Sequence, residues 1–391
     1  KGGYQDELMM RRLTRTDNRN DDPSDSVFAN FRAVVGKGIP LGTLYRSSNP
    51  IDNQFGRASY ADKLAEAFGV KTVLNLADSK EEAEQLTKRK DFTSPYYKSL
   101  MEKGNVAYLN MGVDLSGDDF GNKLVEGVRF LNQHEGPYLI HCTEGKDRAG
   151  FATAILSAFM GADAQELEKD YMLSFENFYN VERGSEKYQR IFKSNLYSSL
   201  EKLTGGVRPE KADLKKAAED YLRAHGLTDG EMAKLREELS EKPHFATPNI
   251  SGTVETVEKY GHLETDIPIT QFNAAGFALA DEVSVLMDNG YAFSAPYVDG
   301  YLVNAGEPLV RAYPGKDKIA LCINYGKLNQ VAKAEKGTHV TIFLNKKAGY
   351  SEQYAVRKLT RSNDRKDYKS DAVFANFRNI KMGNIKKGVL Y

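Results

Sequence analysis

PYLIHCTEGKDRAGF, residues 137–151, decides how the rest of the chain is read. It starts as an apolar run ending in His141 and Cys142, which predicts a buried strand. Gly145 breaks the run, and an amphipathic helical pattern follows over 149–160. A loop at the carboxyl end of a parallel strand, feeding a helix N-terminus, aims several backbone N–H groups at one point and makes a cradle for an anion. Cys142 at the base of that cradle faces the positive end of the helix, which favours its thiolate. Arg148 offers a planar fork matched to two phosphate oxygens. A thiolate beneath a bound phosphate is placed for in-line attack and a phosphocysteine intermediate. A bare Cys-x5-Arg is a weak signal, and a lone Cys is most often a small buried hydrophobe. The strand before it, the His-Cys pair, Gly145, Gly150 and the helix after it raise the pattern to a candidate catalytic loop.

Outward from this loop, VKTVLNLAD (70–78) and VAYLNMGV (106–113) read as further buried strands. DDFGNKLVEGVRFLNQH (118–134) puts Phe120, Leu124, Val128 and Leu131 on one helical face, with Asp118 or Asp119 as cap. More amphipathic patterns run over 163–178, 185–203 and 211–239. Strands alternating with helices imply an α/β fold, a mostly parallel sheet flanked by helices. From 246 to 348 the texture changes. VSVLMDNGYAF (283–293) is a hairpin signal with Asn289-Gly290 in the turn, and KIALCI (318–323) and HVTIFL (339–344) alternate with period two. This predicts a small all-β, barrel-like or sandwich domain, whose plain reading is a spacer or adhesive module.

The two ends of the chain repeat each other. Residues 1–45 align without a gap on 347–391, 21 of 45 positions are identical, and VFANFR is unbroken in both. The expected organisation is a domain at 1–245, an all-β domain at 246–350, and the start of a second copy of the first at 351–391. On that reading the chain is a window on a longer tandem array, and 351–391 lacks a core of its own. The 391 residues carry 54 basic and 54 acidic side chains, a balance that argues against a general nucleic-acid binder. No apolar run reaches the length of a membrane span. Two distant cysteines, Cys142 and Cys322, make neither a disulfide framework nor a multi-thiolate metal site. No metal or cofactor is expected, because Arg148 and the loop amides supply the charge stabilisation.

HCTEGKDRAG (141–150) resembles the signature of the cysteine-dependent phosphatases, in particular the bacterial tyrosine-phosphatase group with an HCxxGKDRTG loop. NFRAVVG (30–36), LYRSSNP (44–50), DYMLSFENF (170–178) and YLRAHGLTDGEMAKLREEL (221–239) are similar to further segments of that group, so the resemblance covers most of 27–240. It implies the cysteine-phosphatase fold, Cys142 as nucleophile, Arg148 as phosphate clamp, and Asp147 as general acid, with Asp114 as the rival acid. Thr143, Glu144, Gly145 and Lys146 complete the phosphate-binding loop. His141 organises the loop, and Arg46 either supports it or touches substrate. A lysine at the place of Lys146 accompanies phosphoinositide or multiply phosphorylated substrates in related phosphatases. Two departures stand out. Ala149 replaces the group's hydroxyl residue, which implies slow hydrolysis of the phosphocysteine. Glu144 brings a negative charge into an anion-binding loop, and an outward orientation is expected for it.

GTVETVEKYGHLETDI (252–267) and GEPLVRAYPGKDKIALCINYGKLNQVA (306–332) resemble the C-terminal domain of the S-adenosylmethionine hydroxide adenosyltransferases. Nothing like that family's N-terminal domain is seen, so the resemblance implies a barrel and not the activity. Asn324 and Gly326 fall on its base-contacting stretch, with a tight turn as the plainer role. Cys322 reads as a packed side chain. The sequence thus points to a phosphomonoesterase acting on phosphotyrosine or phosphoprotein, or on a phosphoinositide. A phytate or inositol-phosphate phosphatase of the same chemistry, and a degenerate phosphatase that only captures phosphorylated ligands, are the alternatives. Tandem modules lean towards a secreted or envelope bacterial protein, with the cytoplasm as the alternative.

Overall fold

The computed structural model describes residues 13–391. Residues 1–12, which open both the repeat and the expected first domain, lie outside the described residues. The chain divides into two compact units between Tyr350 and Ser351.

In the first unit, β1 (Arg32–Ala33), β2 (Leu44–Ser47), β3 (Thr72–Asn75), β4 (Val106–Tyr108) and β5 (Tyr138–His141) form one sheet in the order β1-β2-β5-β3-β4. Four strands run parallel, and β1 is an antiparallel edge. The apolar runs locate β3, β4 and β5, whereas β1 and β2 escape the pattern because Arg32 and Arg46 in them are buried. Helix α1 (Asp118–Leu131) buries Phe120, Leu124, Val128 and Leu131, the face its spacing predicts. Its cap is Gly117 rather than Asp118 or Asp119. Those two carboxylates stand in the first turn, where they complement the helix dipole without closing an N–H. Helix α2 (Asp147–Phe159) follows the candidate loop and is buried at every residue from Ala149 to Phe159, as a helix between sheet and outer helices must be. Helix α3 (Ala164–Tyr179) begins on an Asp163–Glu166 capping box. The pattern at 185–203 carries a π-helical turn at Lys193–Tyr197, and the one at 211–239 breaks at Gly226, whose φ is +96°, into Leu214–Ala224 and Asp229–Ser240.

Strands β6 (Asn249–Val257), β7 (Leu263–Thr265), β8 (Glu282–Met287), β9 (Ala292–Val298), β10 (Pro308–Tyr313), β11 (Lys318–Ile323) and β12 (His339–Lys346) close into a barrel, sealed by the parallel pairing of β9 with β10. The Asn289-Gly290 turn joins β8 and β9 as expected, and Gly290 has φ +92°. A Cβ there would come within 2.6 Å of the Ala33 carbonyl, because Ala33 N donates to Gly290 O across the boundary between barrel and sheet. Phe31, Tyr45 and Phe68 share one apolar cluster with Leu286, Ala292 and Phe343 from the barrel. The change of texture at 245–246 is therefore a change of architecture inside one packed unit. Cys322 is buried on β11, in line with a packed side chain.

The second unit holds the short helices Ser351–Arg357 and Asp371–Phe374 and buries none of its residues. Phe374 and Phe377 are 42% and 60% exposed, while Phe28 and Phe31, at the matching places of the repeat, are 1% and 2% exposed.

Candidate active site

The central strand β5 carries the site. In register beside its last residue, His141, lie Ser47 of β2 and Asn75 of β3, so three parallel strands end at one level. The loop 142–146 leaves that edge and enters α2. Gly145 turns it with φ +70°, and a Cβ there would come within 2.1 Å of the Ser47 carbonyl. Gly150 lets the helix approach Tyr171, whose ring a Cβ would meet at 2.7 Å.

Each loop carbonyl is drawn away from the loop's centre. Cys142 O accepts from His141 Nδ1 at 3.3 Å, Thr143 O from Asn49 N at 3.0 Å, and Glu144 O from Asn30 Nδ2 at 3.2 Å. Gly145 O accepts from Arg46 Nη2 at 2.6 Å, and Lys146 O accepts from the same nitrogen at 3.2 Å. In a trans peptide the N–H points opposite to the preceding C=O. Turning these five carbonyls outward turns the N–H groups of 143–147 inward, and none of them has a hydrogen-bond partner among the described residues. With no side-chain cap on α2, the positive helix end adds to the same field.

His141 is fully buried, and burial, with the carbonyl bond opposing and Arg148 assisting, pushes its pKa down to about 3. The ring is neutral at working pH. Since a carbonyl only accepts, Nδ1 carries the proton, and Nε2 accepts from Tyr97 Oη at 2.9 Å. Asn75 Nδ2 donates to the same tyrosine oxygen at 3.1 Å, which extends the chain of bonds to β3.

Arg46 is fully buried. Its Nη1 lies 2.6 Å from Asp170 on α3, and Asp170 also receives Arg32 at 3.4 Å. Burial alone would raise Asp170, but Arg46 and Arg32 hold its carboxyl below its ordinary value. Sequence reasoning picked out Arg46 but missed Asp170, which lies 124 positions away and is joined to it only by the fold.

A cavity of about 640 Å³ opens over the loop. Cys142, Thr143, Glu144, Asp147 and Arg148 line it, together with Asp114. Arg148 Nη2 donates to Thr143 Oγ1 and Nη1 to Met111 O, each at 2.9 Å. Asp147 lies 3.4 Å from Tyr171 Oη and 3.5 Å from Lys146 Nζ. Asp114 is held below the usual carboxylate range by the Ser116 hydroxyl and N–H, with Lys202 adding to it. Glu144 borders the cavity instead of leaving it, and its carboxylate is bound by Arg15 and by Lys146 at 3.1 Å. Lys146 is not among the lining residues; its ammonium reaches Tyr179 Oη at 3.2 Å and lies over the rings of Phe175 and Tyr179. Gly145, His141 and Arg46 are likewise absent from its lining. Phe55, Phe151, Tyr171 and Lys202 also line it, and no local motif marks them. A larger cavity, about 750 Å³, lies between residues 132–138 and the barrel, with no cysteine in its wall. Among the described residues no cluster of His, Cys, Asp or Glu is arranged to hold a metal ion, and no helix is long and apolar enough to cross a membrane.

A family model described as tyrosine phosphatase family matches residues 28–241, more than half of the chain and every residue that lines the cavity over the loop. The chain belongs to the tyrosine phosphatase family. No curated protein matches this chain. Among solved structures, the crystal structure of an uncharacterized conserved protein from Thermotoga maritima is similar at 21% identity and a TM-score of 0.23. That likeness covers 34% of this chain and 51% of the other, so the chain spans about half the length of that relative.

Replacing Asp170 by Asn leaves two buried guanidinium groups without their carboxylate. The expected loss is about 3–5 kcal/mol of unfolding free energy, read by urea denaturation, together with weaker phosphate binding. A stability within about 1 kcal/mol of wild type would show that Asp170 does not hold the two arginines.

Proposed function

We propose that this phosphatase hydrolyses phosphomonoesters with Cys142 as nucleophile. The observation that carries the reading is a loop whose carbonyls at 142–146 are all bonded to the surrounding fold while its N–H groups are left without partners among the described residues, with Cys142 and Arg148 together on one cavity wall. A phosphate seated there meets donors placed for the equatorial oxygens of the transition state. The Cys142 thiolate attacks phosphorus, the ester P–O bond breaks, and Asp147 gives its proton to the departing oxygen. Water then attacks the phosphocysteine, Asp147 takes the proton back, and inorganic phosphate leaves. Asp147 suits this work better than Asp114, because the Ser116 donors stabilise Asp114 as a carboxylate and make it a poor acid.

Phe55, Phe151 and Tyr171 give the cavity apolar walls suited to an aryl ester such as phosphotyrosine, presented on a protein. Lys202 on the rim favours a second reading, a phosphoinositide or inositol phosphate whose further phosphate reaches it. Lys146, engaged by Glu144 and Tyr179, lends that reading no support. In the same proposal, residues 1–245 are the phosphatase domain, 246–350 a barrel related in fold alone to the adenosyltransferase C-terminal domain, and 351–391 the opening of a second phosphatase copy. Matching local geometry supports the last point. Ser370 accepts from Val373 N as Ser24 does from Val27 N, and Asn376 has φ 51° where Asn30 has φ 50°.

Cys142→Ser is expected to lower p-nitrophenyl phosphate turnover by at least about a thousandfold while inorganic phosphate still binds, and EDTA is expected to leave the wild type unaffected. Retained turnover in Cys142→Ser would refute the mechanism. A panel of phosphotyrosine peptide, phosphoinositide and phytate separates the substrate classes, and wild type that binds all three without turnover is a binding module. Ala149 is buried, and no hydroxyl donates to the Cys142 sulfur among the described residues. Hydrolysis of the phosphocysteine is therefore expected to limit the wild type, giving a burst of p-nitrophenol close to one per site. Ala149→Thr is expected to shrink that burst and raise kcat, and identical traces would remove Ala149 from the account.

A further inference from the structure

Glu144 sets an electrostatic problem. A carboxylate on the wall of an anion site repels a phosphate dianion, and a partly solvated cleft screens it only in part. The structure answers with a residue from outside the family-matched region. Arg15 binds Glu144 Oε1 through Nη1, and its guanidinium lies 4.1 Å from the ring centroid of Phe55, itself on the cavity wall. The arginine is only 16% exposed, so its charge acts on Glu144, and on Asp17 beside it, with little screening by water. The segment that carries it is anchored. Arg57, buried against Phe28 and Phe178, donates from Nη2 to Thr16 O at 2.6 Å and to Asp17 Oδ1 at 3.1 Å, and Arg15 Nε lies 3.2 Å from Asp17. Residues 15–17 thus form a strap pinned beside the phosphate loop, although 129 positions separate Arg15 from Glu144.

We propose that Arg15 is a positioning residue of the active site: it draws the Glu144 carboxylate aside, cancels its charge at the cavity wall, and so allows a phosphate dianion to settle over Cys142. Lys146 shares Glu144, but it is also engaged by Tyr179 and Asp147, so the strap supplies a separate counter-charge. This inference rests on the phosphomonoesterase reading, yet phosphate binding tests it without turnover.

The experiment measures inorganic phosphate by calorimetry, and KM and kcat for p-nitrophenyl phosphate, in wild type, Arg15→Ala, Arg15→Lys and Arg15→Ala/Glu144→Gln. Arg15→Ala is expected to raise the phosphate Kd and KM about five- to tenfold, the effect of one unit charge a few ångströms away in a partly solvated cleft, with kcat within about twofold. Arg15→Lys is expected to keep most of the affinity, and Glu144→Gln in the Arg15→Ala background to restore it. A strap that merely braced the fold would instead lower kcat and the melting temperature together, and Glu144→Gln would repair neither. An unchanged Kd in Arg15→Ala, or a weakened Kd that Glu144→Gln does not relieve, overturns the proposal. Absent turnover in wild type with this binding pattern intact would remove the catalytic reading and leave the role of Arg15 standing.

Discussion

The Arg46 guanidinium is the constraint on which the site depends. It is buried between α3 and the phosphate loop, bonded to Asp170 on one side and to the carbonyls of Gly145 and Lys146 on the other. Desolvating a guanidinium is costly, and the cost is offset only when opposite charge and acceptors surround it. Arg46 meets that condition by holding two loop carbonyls, and in the proposed function the peptide groups turned in this way are the anion-binding feature. With the loop carbonyls bonded to the fold, the loop amides are left without hydrogen-bond partners among the described residues. Asn30, Asn49 and His141 finish what Arg46 begins, each taking one more carbonyl. The scaffold thereby fixes the donors before any anion arrives, so binding need not reorganise them.

The same logic explains what the sequence could show. The strand, loop and helix around Cys142 were legible because their physics is local: an apolar run, a glycine at positive φ, and a helix start within fifteen residues. β2 was not legible as a strand because its buried polar Arg46 breaks the alternation that marks one. Asp170 and Arg15 were not legible as partners of the loop, since nothing local distinguishes an aspartate or arginine that meets its partner more than a hundred residues away. The orientation of Glu144 depended on that unseen arginine. A lone carboxylate in such a loop should turn outward, whereas a paired one can remain on the wall.

The barrel and the end of the chain show how context decides the fate of an apolar face. VFANFR occurs twice with nearly the same local geometry. At 27–32 Phe28 and Phe31 are both buried, Phe31 in a cluster that includes barrel residues Leu286, Ala292 and Phe343. At 373–378 the same letters remain open to solvent. Caps and turns are written into the segment itself, but burial needs a surface supplied by other residues. The barrel is part of that surface for the first copy, which is why it packs with the sheet instead of hanging from it.

The most direct test of the account is to acid-quench the wild type during turnover of p-nitrophenyl phosphate and to map the protein by mass spectrometry. The account predicts a phosphate-mass increment on the peptide that carries Cys142, accumulating because Ala149 offers no hydroxyl to speed its hydrolysis. Steady phosphate release with no protein-bound phosphate at any quench time, and a Cys142→Ser variant that turns over equally well, would contradict it.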